Sequence, residues 1–191
     1  MGKYLVCITG ASGAVYGIRT MRALIEAEHE VHGIVSVWGE KVLEQETGRP
    51  FTSWMSELGL PQKNIYAPEN LGALPASGSF RLDGTVVAPC SVNSIGAIAA
   101  GISINLIHRA AQMALKEGRP LVLVPRETPL SLPALRNLTA LAEAGAAIIP
   151  ASPAFYHAPQ NIDDLIDFIV AKILDRLSVA HNLDTTWKGI Q

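Results

Sequence analysis

Cysteine is scarce in this chain. Cys7 and Cys90 are the only two, each inside an apolar run and without metal-ligand spacing. That excludes a disulfide scaffold and a cysteine-rich zinc module, and points to two buried thiols in a reducing compartment. Aromatic residues make up 6% of the chain, no long basic run exists and the formal charge is −2, so neither nucleic-acid binding nor an electrostatic membrane anchor is indicated. A phosphate ligand must then be held by local groups. No stretch approaches the ~20 apolar residues of a membrane span. The opening MGKYLVCITGASGA reads as a first strand and its turn, not a signal peptide, which places the protein in the cytoplasm. The five histidines show no ligand spacing, so no metal is expected. A G-x-S-x-G elbow is also missing, so hydrolase chemistry of that kind has no support. Repeats, low-complexity tracts and internal boundaries are absent as well, which leaves one domain over 1–191 with a C-terminal tail from about 178.

What is abundant is apolar surface. With 49% hydrophobic and 17% charged residues, the chain can bury a full core. The surplus suits burial between subunits, so a homo-oligomer is expected.

The patterning predicts strands at 3–9, 30–36, 84–88, 120–125 and 146–150, with a short one near 64–67. Helical spacing runs over 18–29, 39–47, 91–117 with a break near 101–105, 131–144 and 161–178. The run PLVLVP at 120–125 has the continuous apolar character of a strand buried on both faces. Asn161 or Asp163 is the expected cap of the last helix. The stretch 48–82 reads as a long connection. Strands alternating with helices imply an α/β fold, a mostly parallel sheet with helices on both faces.

In such a sheet the residues after each strand share one edge, where ligands bind. Here they are Gly10-Ala11-Ser12-Gly13, Ser36, Pro89-Cys90-Ser91, Pro125-Arg126-Glu127 and Pro150 to Tyr156-His157. A dinucleotide site wants G-x-G-x-x-G and an acidic residue ending the second strand. This chain has Ser12 in place of the second glycine and Ser36 in place of the acid. That argues against NAD and suits a phosphate monoester such as FMN, held by hydroxyls and backbone N–H groups at a helix start. The loop alone is equally readable as a plain strand-to-helix turn. The small residues from Ser91 to Gly101 fit either a flat ring on the helix backbone or tight helix packing. Arg109 and Lys116 lie on one helical face and, with Arg126 and Lys172, either line an anion pocket or are solvated charges. Glu127 beside Arg126 is an ion-pair partner or a proton-transfer group.

The chain resembles the UbiX/Pad flavin prenyltransferases almost end to end. The matching stretches are ITGASGAVYGIR (8–19), PASGS (75–79), PCSVNSIGAIAAGISINLIHRAAQMALKEGRPLVLVPRETPLS (89–131) and PASPAFYHAPQNIDDLIDFIVAKILD (150–175). Phosphopantothenoylcysteine decarboxylases share that fold with a different signature. The resemblance implies a Rossmann-like flavoprotein assembled as a dodecamer. It assigns Gly10, Ala11, Ser12, Ser36, Ser91, Val92, Asn93, Ser94, Arg109 and Arg126 to FMN. It assigns Lys116, Arg126, Tyr156 and Lys172 to the phosphate of dimethylallyl monophosphate. Ser12, Glu46 and Glu127 take the catalytic positions. The implied reaction moves a dimethylallyl group to N5 of reduced FMN and closes a ring at C6, with a UbiD-type decarboxylase as recipient. Alternative readings are an FMN-dependent decarboxylase and a non-catalytic FMN carrier. The chain departs from the family in Lys172, where Arg is common, and Ser94, where Thr is usual. Trp187 lies in the segment that resembles the family's covering tail.

Overall fold

Among the described residues, six parallel strands form a single sheet in the order β3-β2-β1-β4-β5-β6. They are β1 (Lys3–Ile8), β2 (Glu30–Val35), β3 (Ile65–Tyr66), β4 (Gly84–Cys90), β5 (Leu121–Pro125) and β6 (Ala147–Ile148). The computed structural model describes residues 1–183, 185 and 189. Trp187 lies outside them. Among the described residues there are seven helices, of which the first six lie between strands and the last follows β6: α1 (Ala14–Glu26), α2 (Val37–Thr47), α3 (Phe51–Leu58), α4 (Val92–Ala99), α5 (Leu106–Lys116), α6 (Leu132–Glu143) and α7 (Ile162–Arg176). None is long and apolar enough to cross a membrane.

Period-two alternation divides the core between the two faces of the sheet. Along β1, Tyr4, Val6 and Ile8 face α1 and α7. Leu5 and Cys7 face the α4–α5 side. Every residue of β4 and β5 is buried, as expected for strands covered on both faces. Arg19 of α1 and Asp167 of α7 meet at 2.6 Å, fixing the two helices side by side.

Four details depart from the sequence reading. Helix α1 begins at Ala14, not Ile18, because Gly13 adopts a left-handed φ of 96° and turns the chain straight into the helix. The supposed connection 48–82 contains α3, which buries Phe51 and Met55. Pro50 just before it and Gly59 just after it are helix punctuation that looked like loop composition. Strand β6 pairs with β5 only through Ala147 and Ile148, shorter than the five residues expected. The last helix ends at Arg176, with Asn161 as cap; its side chain accepts from Asp164 N–H at 3.0 Å, in a reciprocal capping box.

Candidate active site

The strand order reverses between β1 and β4, so the loops leaving these strands diverge and open a crevice at their C-terminal ends. The topology brings Gly10–Gly13, Ser36, Ser91–Ser94 and Arg126-Glu127 to that one edge. Thr9, which the sequence reading overlooked, ties the first and third groups together. Its hydroxyl donates to Pro89 O at 2.8 Å and accepts from Ser91 N–H at 2.8 Å. A hydroxyl ending an apolar strand was the available signal.

Ser36 and Ser91 both cap helices. The Ser36 hydroxyl accepts from Gly39 N–H at 2.9 Å, starting α2. Ser91 accepts from Ser94 N–H at 3.3 Å, starting α4, with Val92 and Asn93 in its first turn. The amino end of α1 holds a surprise. Exposed Glu46, from the last turn of α2, places its carboxylate on Gly13 N–H at 2.9 Å and Ala14 N–H at 2.9 Å. The first amides of α1, expected to await a phosphate, are engaged by an anion of the chain itself. Ser12 stays exposed beside them, and Ala11 is buried. Burial, and then the nearby Glu46 charge, push the Tyr16 phenol upward.

Arg126 stands at the end of β5. Its Nε is buried and has no hydrogen-bond partner among the described residues. Glu127 points elsewhere: it is exposed and accepts from its neighbour's Thr128 N–H at 3.1 Å. No ion pair joins Arg126 to Glu127 among the described residues. A buried, unpaired guanidinium nitrogen is costly unless an anion completes it, and this fits a ligand phosphate.

The remaining basic residues fall into separate places. Exposed Arg109 donates from Nε to Ala76 O at 3.2 Å. Lys116 closes α5 and pairs with Glu117 at 3.3 Å. Because α5 runs back from the crevice edge, seven residues carry Lys116 about 10 Å further from it than Arg109. Tyr156 and Lys172 converge on Phe168. The Tyr156 ring lies 5.8 Å from the Phe168 ring and the Lys172 ammonium 5.7 Å from it, while Lys172 also pairs with Asp175 at 3.1 Å. His157 stacks on the same Phe168 at 5.4 Å.

Both cysteines are free and fully buried. Burial pushes the Cys90 thiol up to about 12. It pushes Cys7 upward too, with Cys90 adding to the effect. Neither thiol is nucleophilic near neutral pH. Ellman's reagent is expected to find no thiol in the native protein and both after denaturation; rapid native labelling would contradict this burial. Among the described residues no group of His, Cys, Asp or Glu is placed to hold a metal ion.

A parallel sheet of this order with a crevice at its reversal is the framework of an α/β flavoprotein, and the family described as Flavoprotein matches residues 2–174. Flavin prenyltransferase UbiX of Synechocystis is 42% identical over 193 residues, covering 95% of this chain and 94% of the relative. AnUbiX, solved in complex with FMN and dimethylallyl pyrophosphate, superposes with a TM-score of 0.94 at 38% identity, covering 100% of this chain and 99% of the other. A dodecameric FMN-dependent UbiX-like decarboxylase from Escherichia coli O157:H7 gives 0.91 at 40% identity, over 98% and 100% of the two chains. The chain belongs to the UbiX flavin prenyltransferase family.

Proposed function

We propose that this protein transfers a dimethylallyl group from dimethylallyl monophosphate to N5 of reduced FMN, with ring closure at C6, for use by a UbiD-type decarboxylase. The observation that carries the reading is the buried, unpartnered Arg126 nitrogen at the crevice edge. The AnUbiX complex with FMN and dimethylallyl pyrophosphate supports the choice of ligands. Reduced FMN supplies the nucleophile.

The chain's residues hold, orient and shield. Gly10, Ala11, Ser12, Ser36 and the Ser91–Ser94 turn line the flavin side, with Arg109 nearby. Arg126 meets phosphate by paired N–H donors, and Tyr156 and Lys172 add a hydroxyl and a point charge. These groups stabilise negative charge that grows on the leaving phosphate. Glu127, exposed and unpaired with Arg126, exchanges a proton with that phosphate. Glu46 and Ser12 sit together at the start of α1 on the flavin side. Lys116 lies away from the crevice of its own chain, so its part in the phosphate pocket requires a second copy. Homo-oligomerisation, as a dodecamer, is supported by exposed apolar side chains such as Trp38, Ile104, Leu132, Phe155 and Ile162 and by the dodecameric E. coli structure.

The test is anaerobic incubation with reduced FMN and dimethylallyl monophosphate, followed by the mass of the extracted flavin. A gain of one dimethylallyl group is expected. Unmodified FMN, tightly bound and equally inert with the pyrophosphate, would favour a decarboxylase or a carrier.

A further inference from the structure

Behind the crevice rim a chain of polar groups leads from the Ser91–Ser94 turn to a histidine that the proposed reaction does not use. It begins at half-buried Ser91 and runs inward through Ser94, which is 5% exposed, to His108 of α5, which is 4% exposed. The Ser91 hydroxyl donates to Ser94 Oγ at 3.2 Å. Ser94 Oγ in turn lies 3.2 Å from His108 Nε2. The other ring nitrogen, Nδ1, is buried without a partner.

Proton counting sets the direction of this chain. Ser94 already accepts from Ser91, so its own proton is free to go to Nε2. That arrangement needs neutral imidazole with its proton on Nδ1, and leaves one orphan polar group. The other tautomer, with Nε2–H donating to Ser94, leaves the Nδ1 lone pair unpaired and leaves the Ser94 proton either unpaired or turned toward Ser91, against the direction in which Ser91 donates. Buried polar groups without partners are costly, so the first arrangement is favoured. Burial also pushes the His108 pKa down, which keeps the ring neutral. Ser91 then has its proton committed to Ser94 and one lone pair committed to Ser94 N–H. It retains a single lone pair for a ligand.

We propose that His108 is a positioning residue: by accepting the Ser94 proton it keeps Ser94 from donating to Ser91, so the Ser91 proton stays committed to Ser94 and Ser91 accepts from the flavin instead of donating to it. The partner is therefore a donor on the ligand, a ribityl hydroxyl or an isoalloxazine N–H. A phosphate at neutral pH offers mainly acceptor oxygens and is the wrong partner. The inference rests on the flavin reading of the crevice.

The test is titration of FMN, and of riboflavin by competition, against wild type, His108→Phe, His108→Gln and His108→Asn. Riboflavin lacks the phosphate and keeps the donors. His108→Phe is expected to weaken both ligands by about tenfold, the size of one lost hydrogen bond. Gln places an amide near the Nε2 position and is expected to stay within about twofold of wild type. Asn reaches only the Nδ1 position and is expected to behave like Phe. Weakening of FMN alone, equal losses in Gln and Phe, or no loss in Phe would overturn the proposal. If His108→Phe does not fold, the Gln and Asn pair decides, and equal affinities count against it. Wild type that binds no flavin would overturn the functional reading itself. Wild type that binds and prenylates FMN, with indifferent His108 variants, would overturn this inference alone.

Discussion

Arg126→Gln is expected to lower the rate of prenyl transfer by at least about 100-fold. A charge-assisted hydrogen bond is worth about 1.5–3 kcal/mol, and a bidentate guanidinium makes two of them to one phosphate. Each 1.4 kcal/mol is tenfold in a rate or a binding constant. The side chain already stands at the end of β5 with Nε buried and unpaired, so its cost of desolvation is met before ligand arrives. The loss should fall on both kcat and KM for the allylic phosphate, because the phosphate is held in the ground state and gains charge as it leaves. Arg126→Lys keeps the charge and loses the fork, and should recover only part of the rate. Steady-state assays of flavin prenylation across both variants measure this. An Arg126→Gln rate within a few-fold of wild type would remove Arg126 from the phosphate pocket.

Gly17→Ala is expected to destabilise the fold by about 2–3 kcal/mol, against the usual direction for glycine in a helix. Elsewhere in a helix that exchange gains about 0.5–1 kcal/mol. Here a Cβ would meet Ala88 O at 2.5 Å and the Ile8 side chain at 2.6 Å. Ala88 O is backbone of β4 and cannot swing aside, so α1 must lift from the sheet. With single domains stable by only about 5–15 kcal/mol, such a loss is readily seen in a urea midpoint. Because α1 begins at the Gly10–Gly13 loop, flavin affinity should fall with it. A raised midpoint would show that the close approach of α1 is not limiting.

The parts of this molecule that were legible in its sequence are those in which one local pattern dictates one outcome. The run LVLVP is apolar without interruption and is a strand buried on both faces. Asn161, one of the two caps expected for the last helix, is its cap, in a capping box with Asp164. The break near 101–105 separates α4 from α5 as its glycine and polar residues indicate. The edge that gathers Ser12, Ser36, Ser91 and Arg126 was visible because topology alone sends strand ends to one side. The rest depended on groups distant in the chain. Nothing local marks Glu46 as the partner of Gly13 and Ala14, a contact 33 and 32 residues away. Nothing local ties Thr9 to Ser91, or His108 to Ser94 across two helices. The sharing of a face by Arg109 and Lys116 was correct in angle and uninformative in height. A helix that starts at the crevice carries its later residues away from it.

The engagement of Glu46 with the first amides of α1 gives the crevice a polarity. One flank, over Gly13 and Ala14, has its positive helix end already neutralised from within the chain. The other flank, at the end of β5, presents a cation with an open valence. A ligand with one charged end and one uncharged end is therefore expected to enter with its anion toward Arg126 and its neutral part toward the glycine loop. On that expectation orientation is set ahead of any contact with the rings themselves, by which flank still lacks a counter-charge.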